Sequence, residues 1–332
     1  MQYRSLGKSP LQVSALCLGA MMFGDQTPLE EARSIVADAR AHGVNYLDTA
    51  DVYTTGASEA MVGELLQGQR HEWVLATKLG NKMSGRPNET GFSRSWMLRE
   101  AEASLKRLRT DHVDILYMHR DNAGADLEEP LRAMDQLLRD GKIRYWGISN
   151  FRGWRIAEAV RTAREIGMPQ PVVCQPYYNL LNRMPEVEIL PACAHYGIGV
   201  TSYSPIARGV LTGKYAPGQA PGADTRAGRG DKRINETEFR QESLQIAQRL
   251  MMHAQARGTT LAAFACAWVL ANRAVSAIIA GPRTLQQWQD YLPALEFALN
   301  DEDEALVDSL VRPGHPSTPG YTDPAYPMAP RR

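Results

Sequence analysis

Three charged or ionisable side chains stand at the ends of short apolar runs that are far apart in the chain. Asp48 follows VNYL, Lys78 ends WVLATK and His119 ends VDILYMH, and Tyr53 lies five residues after Asp48. A tyrosine has a reference pKa of about 10, which is high for proton transfer near neutral pH. A neighbouring ammonium lowers the pKa of a phenol, and a carboxylate holds that ammonium in place. These residue types therefore suit a proton donor centred on Tyr53.

A histidine beside such a donor suits the orientation of a carbonyl oxygen, which would receive the proton while another group delivers a hydride. Any one of these charged residues taken alone is explained equally well as an ordinary surface residue just past a strand. It is less plausible that all of them are surface residues. If Asp48 points into a closed barrel, Tyr46 and Val44 share its face. We expect Asp48 and Lys78 on adjacent strands, because an unpaired buried ion is strongly disfavoured.

Short apolar runs alternate with longer amphipathic segments along most of the chain. Eight runs have the length and composition of strands, and helical periodicity separates them. This alternation is typical of parallel strands covered by helices. We predict an α/β fold, one (β/α)8 TIM barrel with its active site at the C-terminal strand ends. A doubly wound sheet is the competitor, but the G-x-G-x-x-G that usually follows its first strand is absent. The eight runs are 16–24, 44–49, 73–78, 113–119, 143–150, 172–175, 199–205 and 277–281.

The segments around the barrel complete the predicted organisation of one domain, residues 1–332. Residues 1–15 read as an N-terminal hairpin, 208–236 as a glycine-rich cofactor flap, and 313–332 as a proline-rich tail that is either a packed arm or disordered. Thr27-Pro28-Leu29-Glu30 reads as a capping box. The helix that it opens would bury a stripe of four residues and end at Gly43; the stripe is Ala32, Ile35, Val36 and Ala39.

Composition restricts the class of protein. The 37 basic and 37 acidic residues cancel, so no global field favours nucleic acid or an anionic membrane, and we expect neither as a partner. No segment resembles a signal peptide or a membrane span, and the four dispersed cysteines read as buried free thiols, so we expect a cytoplasmic protein. No metal-ligand spacing is found. The basic cluster from Arg226 to Arg233 reads as a solvated face, or as a contact to a cofactor phosphate if the loop folds over.

Six stretches, in order along the chain, resemble the aldo-keto reductase superfamily. They are NYLDTADVY, ATKLG, EASLKRLRTDHVDILYMH, LLRDGKIRYWGISNF, CQPYYNLL and YSPIARGVLTGKY. The long loop, GVLTGKY and the proline-rich tail are most similar to the bacterial aryl-alcohol-dehydrogenase-like or potassium-channel β-subunit-like branch. The resemblance implies a (β/α)8 barrel that reduces aldehydes and ketones with NADPH and without a metal. Some members of the branch form rings of subunits and others are monomers, so a homo-oligomer stays open.

The resemblance also implies roles for individual residues. Asp48, Tyr53, Lys78 and His119 resemble the catalytic tetrad, with Tyr53 as the general acid. Ser149, Asn150 and Gln175 match positions that bind the nicotinamide carboxamide, and Tyr203 matches the aromatic residue that stacks on its ring. The residues that resemble the pyrophosphate contacts are Ser204, Leu211, Gly213 and, in the same stretch, Lys214.

The last βα turn resembles the site for the adenosine 2′-phosphate, with Gly281, Arg283 and Gln287 as the matching residues. Arg283 is the natural phosphate partner, since a guanidinium matches phosphate in charge and geometry. Tyr291 departs from the pattern, because the family usually has an asparagine there. Two functions follow: an NADPH-dependent carbonyl reductase acting on a small carbonyl substrate, or an NADP(H)-binding redox sensor with slow turnover. The substrate itself is not readable from the sequence.

Overall fold

A computed structural model describes residues 1–122 and 125–326. Within them the chain forms two compact units, and the prediction of one domain over residues 1–332 stays a prediction. Every strand of the described residues lies in the first unit, and the second is built mainly of helices and turns. The first unit comprises Met1–Pro176, Glu188–Tyr203 and Arg273–Gln289, and the second comprises Tyr177–Val187, Ser204–Asn272 and the described part of Asp290–Arg332.

The predicted barrel is confirmed in the first unit, where eight parallel strands close on themselves. An antiparallel hairpin, β1 (Tyr3–Ser5) and β2 (Gln12–Ser14), precedes them. Each barrel strand pairs with the next in the chain, and the last closes the ring by pairing with the first, which excludes the doubly wound sheet. The strands are β3 (Leu16–Gly19), β4 (Tyr46–Asp48), β5 (Val74–Leu79), β6 (Val113–Met118), β7 (Ile143–Ser149), β8 (Val173–Gln175), β9 (Gly199–Ser202) and β10 (Val275–Ala280).

Alternate side chains of these strands fill the barrel interior. Tyr46, Ala76 and Tyr117 belong to one buried cluster, as the strand parity of Asp48, Lys78 and His119 predicts. The hydroxyl oxygens of Tyr46 and Tyr117 are hydrogen-bonded at 2.7 Å inside this cluster. The barrel interior is therefore mostly apolar, and the polar side chains of Asp48, Lys78 and His119 lie at its mouth, where the strands end.

The hairpin packs against residues where β9 and β10 begin. The backbone N–H of Lys8 donates to the carbonyl of Gly197 at 2.8 Å, and the Ser276 hydroxyl donates to the carbonyl of Ser5 at 2.9 Å. Gly7 has a φ of 58°, and a Cβ there would collide with the Gly197 carbonyl. The close approach of hairpin and barrel therefore requires glycine at this position.

Helices cover the barrel in the predicted alternation. The first, α1 (Leu29–Ala41), buries the predicted stripe, and Gly43 follows its end with a φ of 78°. The predicted capping box is wrong: Pro28 is the N-cap, and the Thr27 hydroxyl instead donates to the carbonyl of Arg283 at 3.0 Å. The other helices of this unit are α2 (Ala57–Leu65), α3 (Arg94–Arg107), α4 (Glu128–Arg139), α5 (Gly153–Glu165), α6 (Ile189–Tyr196) and, after the helices of the second unit in chain order, α10 (Leu285–Gln289).

The second unit is helical. Its helices are α7 (Lys232–Thr237), α8 (Gln241–Ala256), α9 (Leu261–Ala271) and α11 (Asp301–Leu310), and 3-10 turns cover Met184–Glu186, Ala207–Thr212 and Leu292–Leu295. The predicted flap, 208–236, thus includes part of a turn and most of α7. Among the described residues, no helix is long and apolar enough to cross a membrane. The four cysteines are buried free thiols, as predicted.

Part of the proline-rich tail packs within this unit, which favours the packed arm over disorder for that part. The Arg233 guanidinium pairs with both carboxylate oxygens of Asp323, at 2.9 and 2.6 Å. The Arg240 guanidinium lies 3.8 Å from the ring centroid of Tyr321 and donates to the Thr318 hydroxyl at 2.7 Å. Residues 327–332 of the predicted tail lie outside the described residues.

The Glu238 carboxylate, next to this tail contact, should make stability depend on pH. It is 1% exposed, and neither oxygen has a hydrogen-bond partner among the described residues. Burial raises its pKa from 4.5 to about 7, with Arg240 opposing and Asp323 adding to the effect. Between pH 4.5 and pH 7 this carboxyl is ionised in the unfolded chain but protonated in the folded protein, so the free energy of unfolding falls as pH rises. The full loss of stability applies above pH 7.

We therefore expect Glu238→Gln to stabilise the protein by about 1–3 kcal/mol at about pH 8, with little effect near pH 4. The measurement is the free energy of unfolding in denaturant at both pH values. Glu296→Gln is the control, since Glu296 is exposed in the same unit. Equal effects of the two substitutions at pH 8 would contradict the burial of an unpaired charge.

Candidate active site

Side chains from β4, β5 and β8, together with Tyr53 from the turn after β4, form one hydrogen-bonded set that includes Lys78 and Asp48. Lys78 Nζ donates to Asp48 Oδ1, to the carbonyl of Thr49 at 2.7 Å and to the Tyr53 hydroxyl at 3.2 Å. The other carboxylate oxygen of Asp48 accepts from Gln175 Nε2 at 2.9 Å. The barrel thus brings together residues that are up to 127 positions apart in the chain.

The ion pair is fully enclosed. The Lys78 side chain is 0% exposed and that of Asp48 is 3% exposed. Burial by itself lowers the pKa of Lys78, but Asp48 and Tyr53 together outweigh it and raise that pKa. Burial raises the pKa of Asp48, and Lys78 and Gln175 offset part of this. The ammonium therefore stays charged near neutral pH and is held by all three of its hydrogen bonds.

Tyr53 differs from the expectation drawn from the sequence in one respect. Burial raises the pKa of its phenol, Lys78 lowers it, and the net shift is upward. The lowered pKa inferred from the residue types is wrong for the protein alone, because desolvation of the phenolate exceeds the attraction of the ammonium. Tyr53 is therefore protonated near neutral pH, which is the form that a proton donor needs.

His119 lies beside Tyr53 as a neutral imidazole. The two ring centroids are 5.8 Å apart in an edge-to-face arrangement. Burial lowers the pKa of His119 well below its usual value, and the charges of Lys78 and Arg120 lower it further. Its Nδ1 is buried and has no hydrogen-bond partner among the described residues. A buried unpaired nitrogen at the barrel mouth suits a bound polar group.

Three further side chains predicted to contact the cofactor, those of Ser149, Asn150 and Tyr203, form a connected polar set beside these residues. Asn150 Nδ2 donates to the His119 carbonyl and to the Ser149 hydroxyl, both at 3.0 Å. The Tyr203 hydroxyl donates to Asn150 Oδ1 at 2.7 Å, and the Ser149 hydroxyl donates to the Gln175 carbonyl at 2.9 Å. Asn150 has a φ of 59°, a left-handed conformation that asparagine tolerates better than most residues. The strand ends thus fix the orientation of the amide.

These residues fit a nicotinamide group. An amide oxygen and a hydroxyl oxygen each have two lone pairs, so Asn150 Oδ1 and Ser149 Oγ can each accept one more hydrogen bond. A carboxamide offers two N–H donors and one acceptor, which matches such a set. Tyr203 is half-buried, with its hydroxyl anchored on Asn150. The donors and acceptors present are those that a planar ring with a carboxamide requires.

The last βα turn holds the three residues that resemble the 2′-phosphate site. The backbone N–H of Arg283 donates to Gln287 Oε1 at 3.0 Å, so the glutamine side chain closes the turn. Thr27 binds the Arg283 carbonyl, as described above. Gly281 is exposed, with no atom near the position of a Cβ. No described acidic side chain pairs with the Arg283 guanidinium, which leaves it suited to an external anion.

The remaining predicted contacts lie in the second unit, within one stretch after β9. Ser204 has a φ of 56°, and its carbonyl accepts from Asn179 Nδ2 at 3.1 Å. Leu211 is buried, and Gly213 has a φ of 80° with the Met251 sulfur 2.6 Å from the position of a Cβ. Lys214 Nζ lies 5.4 Å from the ring centroid of Tyr215. Their assignment to the pyrophosphate remains a prediction.

The solvated face predicted for the basic cluster is wrong for two of its members. The side chains of Arg226 and Arg233 are 18% and 28% exposed, and each pairs with an aspartate. Burial lowers the pKa of Arg226, and the nearby charge of Arg208 lowers it further. Arg208 donates to the Thr237 hydroxyl at 3.1 Å and lies 5.3 Å from the ring centroid of Tyr177. The sequence did not indicate the influence of Arg208 on Arg226, because Arg208 stands alone in its stretch.

Comparison with known proteins agrees with this geometry. The model of the Aldo/keto reductase family matches residues 15–312. The chain is 38% identical to a probable voltage-gated potassium channel subunit beta of Arabidopsis thaliana, over 93% of this chain and 97% of that protein. It is 36% identical to the uncharacterized oxidoreductase YrpG of Bacillus subtilis, over 98% and 99%. A putative channel subunit beta of Schizosaccharomyces pombe is 35% identical, over 89% and 88%.

Proposed function

The chain belongs to the aldo/keto reductase family, and on that premise we propose that it reduces an aldehyde or ketone to the alcohol with NADPH. Family membership and the oxidoreductase among its relatives support a general oxidoreductase role. The observation that carries the finer proposal is the hydrogen bond from Lys78 Nζ to the Tyr53 hydroxyl, backed by the buried Asp48. We propose a small carbonyl compound as the partner, with neither nucleic acid nor membrane.

Each residue of the proposed tetrad has a distinct task. Tyr53 is protonated and donates its proton to the carbonyl oxygen as that oxygen becomes an alkoxide, a much stronger base than a phenolate. The phenolate that remains is stabilised by the adjacent ammonium of Lys78. Asp48 keeps Lys78 charged and fixed. His119, neutral and with one unpaired nitrogen, orients the carbonyl oxygen toward Tyr53.

In the first unit, two groups of residues would hold the cofactor: one at the nicotinamide, and the last βα turn with Arg283 at the 2′-phosphate. Ser149, Asn150 and Gln175 would hold the carboxamide, and Tyr203 would pack against the ring. When bound there, the nicotinamide would supply the hydride for the carbonyl carbon. In the second unit, we propose that Ser204, Leu211, Gly213 and Lys214 contact the pyrophosphate.

The test is turnover by the purified protein. We expect addition of 4-nitrobenzaldehyde or methylglyoxal to cause oxidation of NADPH, followed at the nicotinamide absorbance band. The hydride lost by NADPH should be found in the alcohol product. Product analysis by chromatography distinguishes reduction from slow cofactor decay. Tight binding of NADPH without turnover on a broad panel of aldehydes and ketones would overturn the reductase proposal.

That second outcome would support the alternative, a module that binds NADP(H) and senses its redox state with slow turnover. The observation that favours it is that three of the similar proteins are named as potassium channel β subunits. The intact tetrad geometry favours catalysis over sensing. Single-turnover rates separate the two, because a sensor would oxidise bound NADPH far more slowly than an enzyme with typical turnover of about 1–10³ per second.

The Arg283 guanidinium should set the preference for NADPH over NADH. We expect Arg283→Ala to raise the KM for NADPH by about 10–100-fold, as loss of a charge-assisted contact worth about 1.5–3 kcal/mol implies. The KM for NADH should change little, which makes NADH the internal control. Steady-state kinetics with both cofactors measure the difference. An equal rise in both KM values would show that Arg283 shapes the turn rather than contacts the phosphate.

A further inference from the structure

Asp51 is a buried carboxyl group that the proposed tetrad does not use. It lies between Asp48 and Tyr53 and is 0% exposed. Its Oδ1 accepts the N–H of Val52 at 2.6 Å, but Oδ2 is buried and has no hydrogen-bond partner among the described residues. A buried unpaired carboxylate oxygen is costly, whereas a protonated carboxyl is tolerated there. The environment therefore favours the neutral acid.

The charges around Asp51 reinforce that preference. Glu59 on α2 accepts from Thr77 and from Arg107 Nε, and Glu100 on α3 accepts from an Arg107 terminal nitrogen, at 2.5, 2.7 and 2.5 Å. Arg107 thus serves two carboxylates that bond to it directly. On the other side, the Lys78 carbonyl accepts the backbone N–H of Asp51, and Tyr53 follows Asp51 two residues later in the chain. No described cation forms an ion pair with Asp51 itself.

Asp51 is also tied to the backbone that carries Tyr53. Its N–H donates to the carbonyl of Lys78 at 3.0 Å, so the loop from Asp48 to Tyr53 is fastened to β5 at the catalytic lysine. After Tyr53 the chain turns through Thr54, Thr55 and Gly56, with φ values of 47°, 53° and 90°. Arg107 Cδ lies 2.7 Å from where a Gly56 Cβ would be. Arg107, which pairs with Glu59 and Glu100, therefore packs against the strained turn that follows Tyr53.

We propose that Asp51 is a positioning residue for Tyr53, neutral in the active enzyme, whose ionisation at alkaline pH weakens Tyr53 as an acid. This inference rests on the proposed reductase function. Ionised Asp51 places a negative charge near the phenol, which disfavours the phenolate and makes proton donation harder. No new bond forms: the carboxyl loses its proton to water, and the Tyr53 hydroxyl stays protonated.

The direction of the pKa shifts agrees with this assignment. Burial raises the pKa of Asp51 to about 8, and Glu59 and Glu100 raise it further while Val52 and Arg107 oppose them. The charge of Asp51 in turn contributes to the raised pKa of Tyr53, after burial and Asp48. Asp51 is therefore neutral below pH 8 and negative above it, so the effect on reduction should appear as pH rises through about 8.

The test compares the pH dependence of kcat in wild type and Asp51→Asn, which is isosteric with the neutral acid. We expect the ratio of variant to wild-type kcat for aldehyde reduction to rise several-fold between about pH 7 and pH 9, because only wild type gains a negative charge at residue 51 over this range. The range ends below the ordinary phenol pKa of about 10, so Tyr53 itself stays largely protonated. Asp114→Asn, the same change at a paired aspartate of β6, should give a flat ratio.

Two further readouts keep the outcomes distinct. Infrared difference spectra at pH 7 should show a protonated carboxyl band in wild type that Asp51→Asn lacks, and this requires no turnover. If Tyr53→Phe remains active, the proposed function fails. If Tyr53→Phe is inactive but the Asp51→Asn ratio stays flat, or the carboxyl band is absent, only the role of Asp51 is overturned. Should Asp51→Asn misfold, difference spectra of wild type against Asp51→Ser at pH 7 decide whether Asp51 is neutral, since the subtraction removes the bands of other buried carboxyls such as Glu238.

Discussion

Replacing Tyr53 with phenylalanine should lower kcat for aldehyde reduction by about 10²–10⁴-fold, the usual contribution of a positioned general acid. The loss of barrier stabilisation is about 3–5 kcal/mol. The physical reason is local: among the described residues, the phenol is the hydroxyl group that Lys78 Nζ contacts, at 3.2 Å, and its ring lies edge-to-face with the neutral His119. Without the Tyr53 hydroxyl, no general acid is positioned to protonate the developing alkoxide.

The effect must be separated from general damage to the barrel. Tyr117→Phe is the matched control, because it also removes one buried phenolic oxygen, 2.7 Å from Tyr46 in the barrel interior. We expect that control to retain kcat within a few-fold, and both variants to bind NADPH with the wild-type dissociation constant, measured by fluorescence titration. Equal losses of kcat in the two variants, or near-normal turnover of Tyr53→Phe, would remove Tyr53 from the chemistry.

The sequence predicts the barrel because each apolar run is short and each amphipathic segment is long enough to cross back over the sheet. The polar ends of those runs then predict the placement of the ion pair. Tyr46, Ala76 and Tyr117 do point inward, so Asp48, Lys78 and His119 come to one end of the barrel. Period-two alternation carries this information directly, and no contact distance is needed to infer it.

Other features depend on burial, which a linear pattern does not report. The phenol of Tyr53 has a raised pKa because desolvation outweighs Lys78, and residue types alone give the opposite sign. The predicted capping box is wrong because the Thr27 hydroxyl donates instead to the carbonyl of Arg283, a residue 256 positions away. Helix α9 (Leu261–Ala271) was not identified, because it is buried on nearly every side and so lacks an amphipathic stripe.

Replacing Lys78 with methionine should both abolish reduction and destabilise the fold by about 3–5 kcal/mol at about pH 8, the cost of leaving a buried charge unpaired. The Lys78 side chain is fully buried, and three hydrogen bonds are lost with it. Without Lys78 the pKa of Asp48 would rise further, and protonation of Asp48 would remove part of the free-energy cost of burying its charge. A raised carboxyl pKa costs stability as pH increases, so the defect should be smaller near pH 5 than near pH 8.

The double variant Asp48→Asn/Lys78→Met tests this explanation. Removing the orphaned carboxylate should restore about 1–3 kcal/mol of the lost stability. The difference in stability from wild type should then no longer depend on pH through Asp48, while reduction stays absent. Denaturant unfolding of the two single variants, the double variant and wild type at both pH values gives the coupling free energy. If the losses of the single variants simply add, the pair is not coupled in the folded barrel, and Asp48 must influence Tyr53 by some route other than its hold on Lys78.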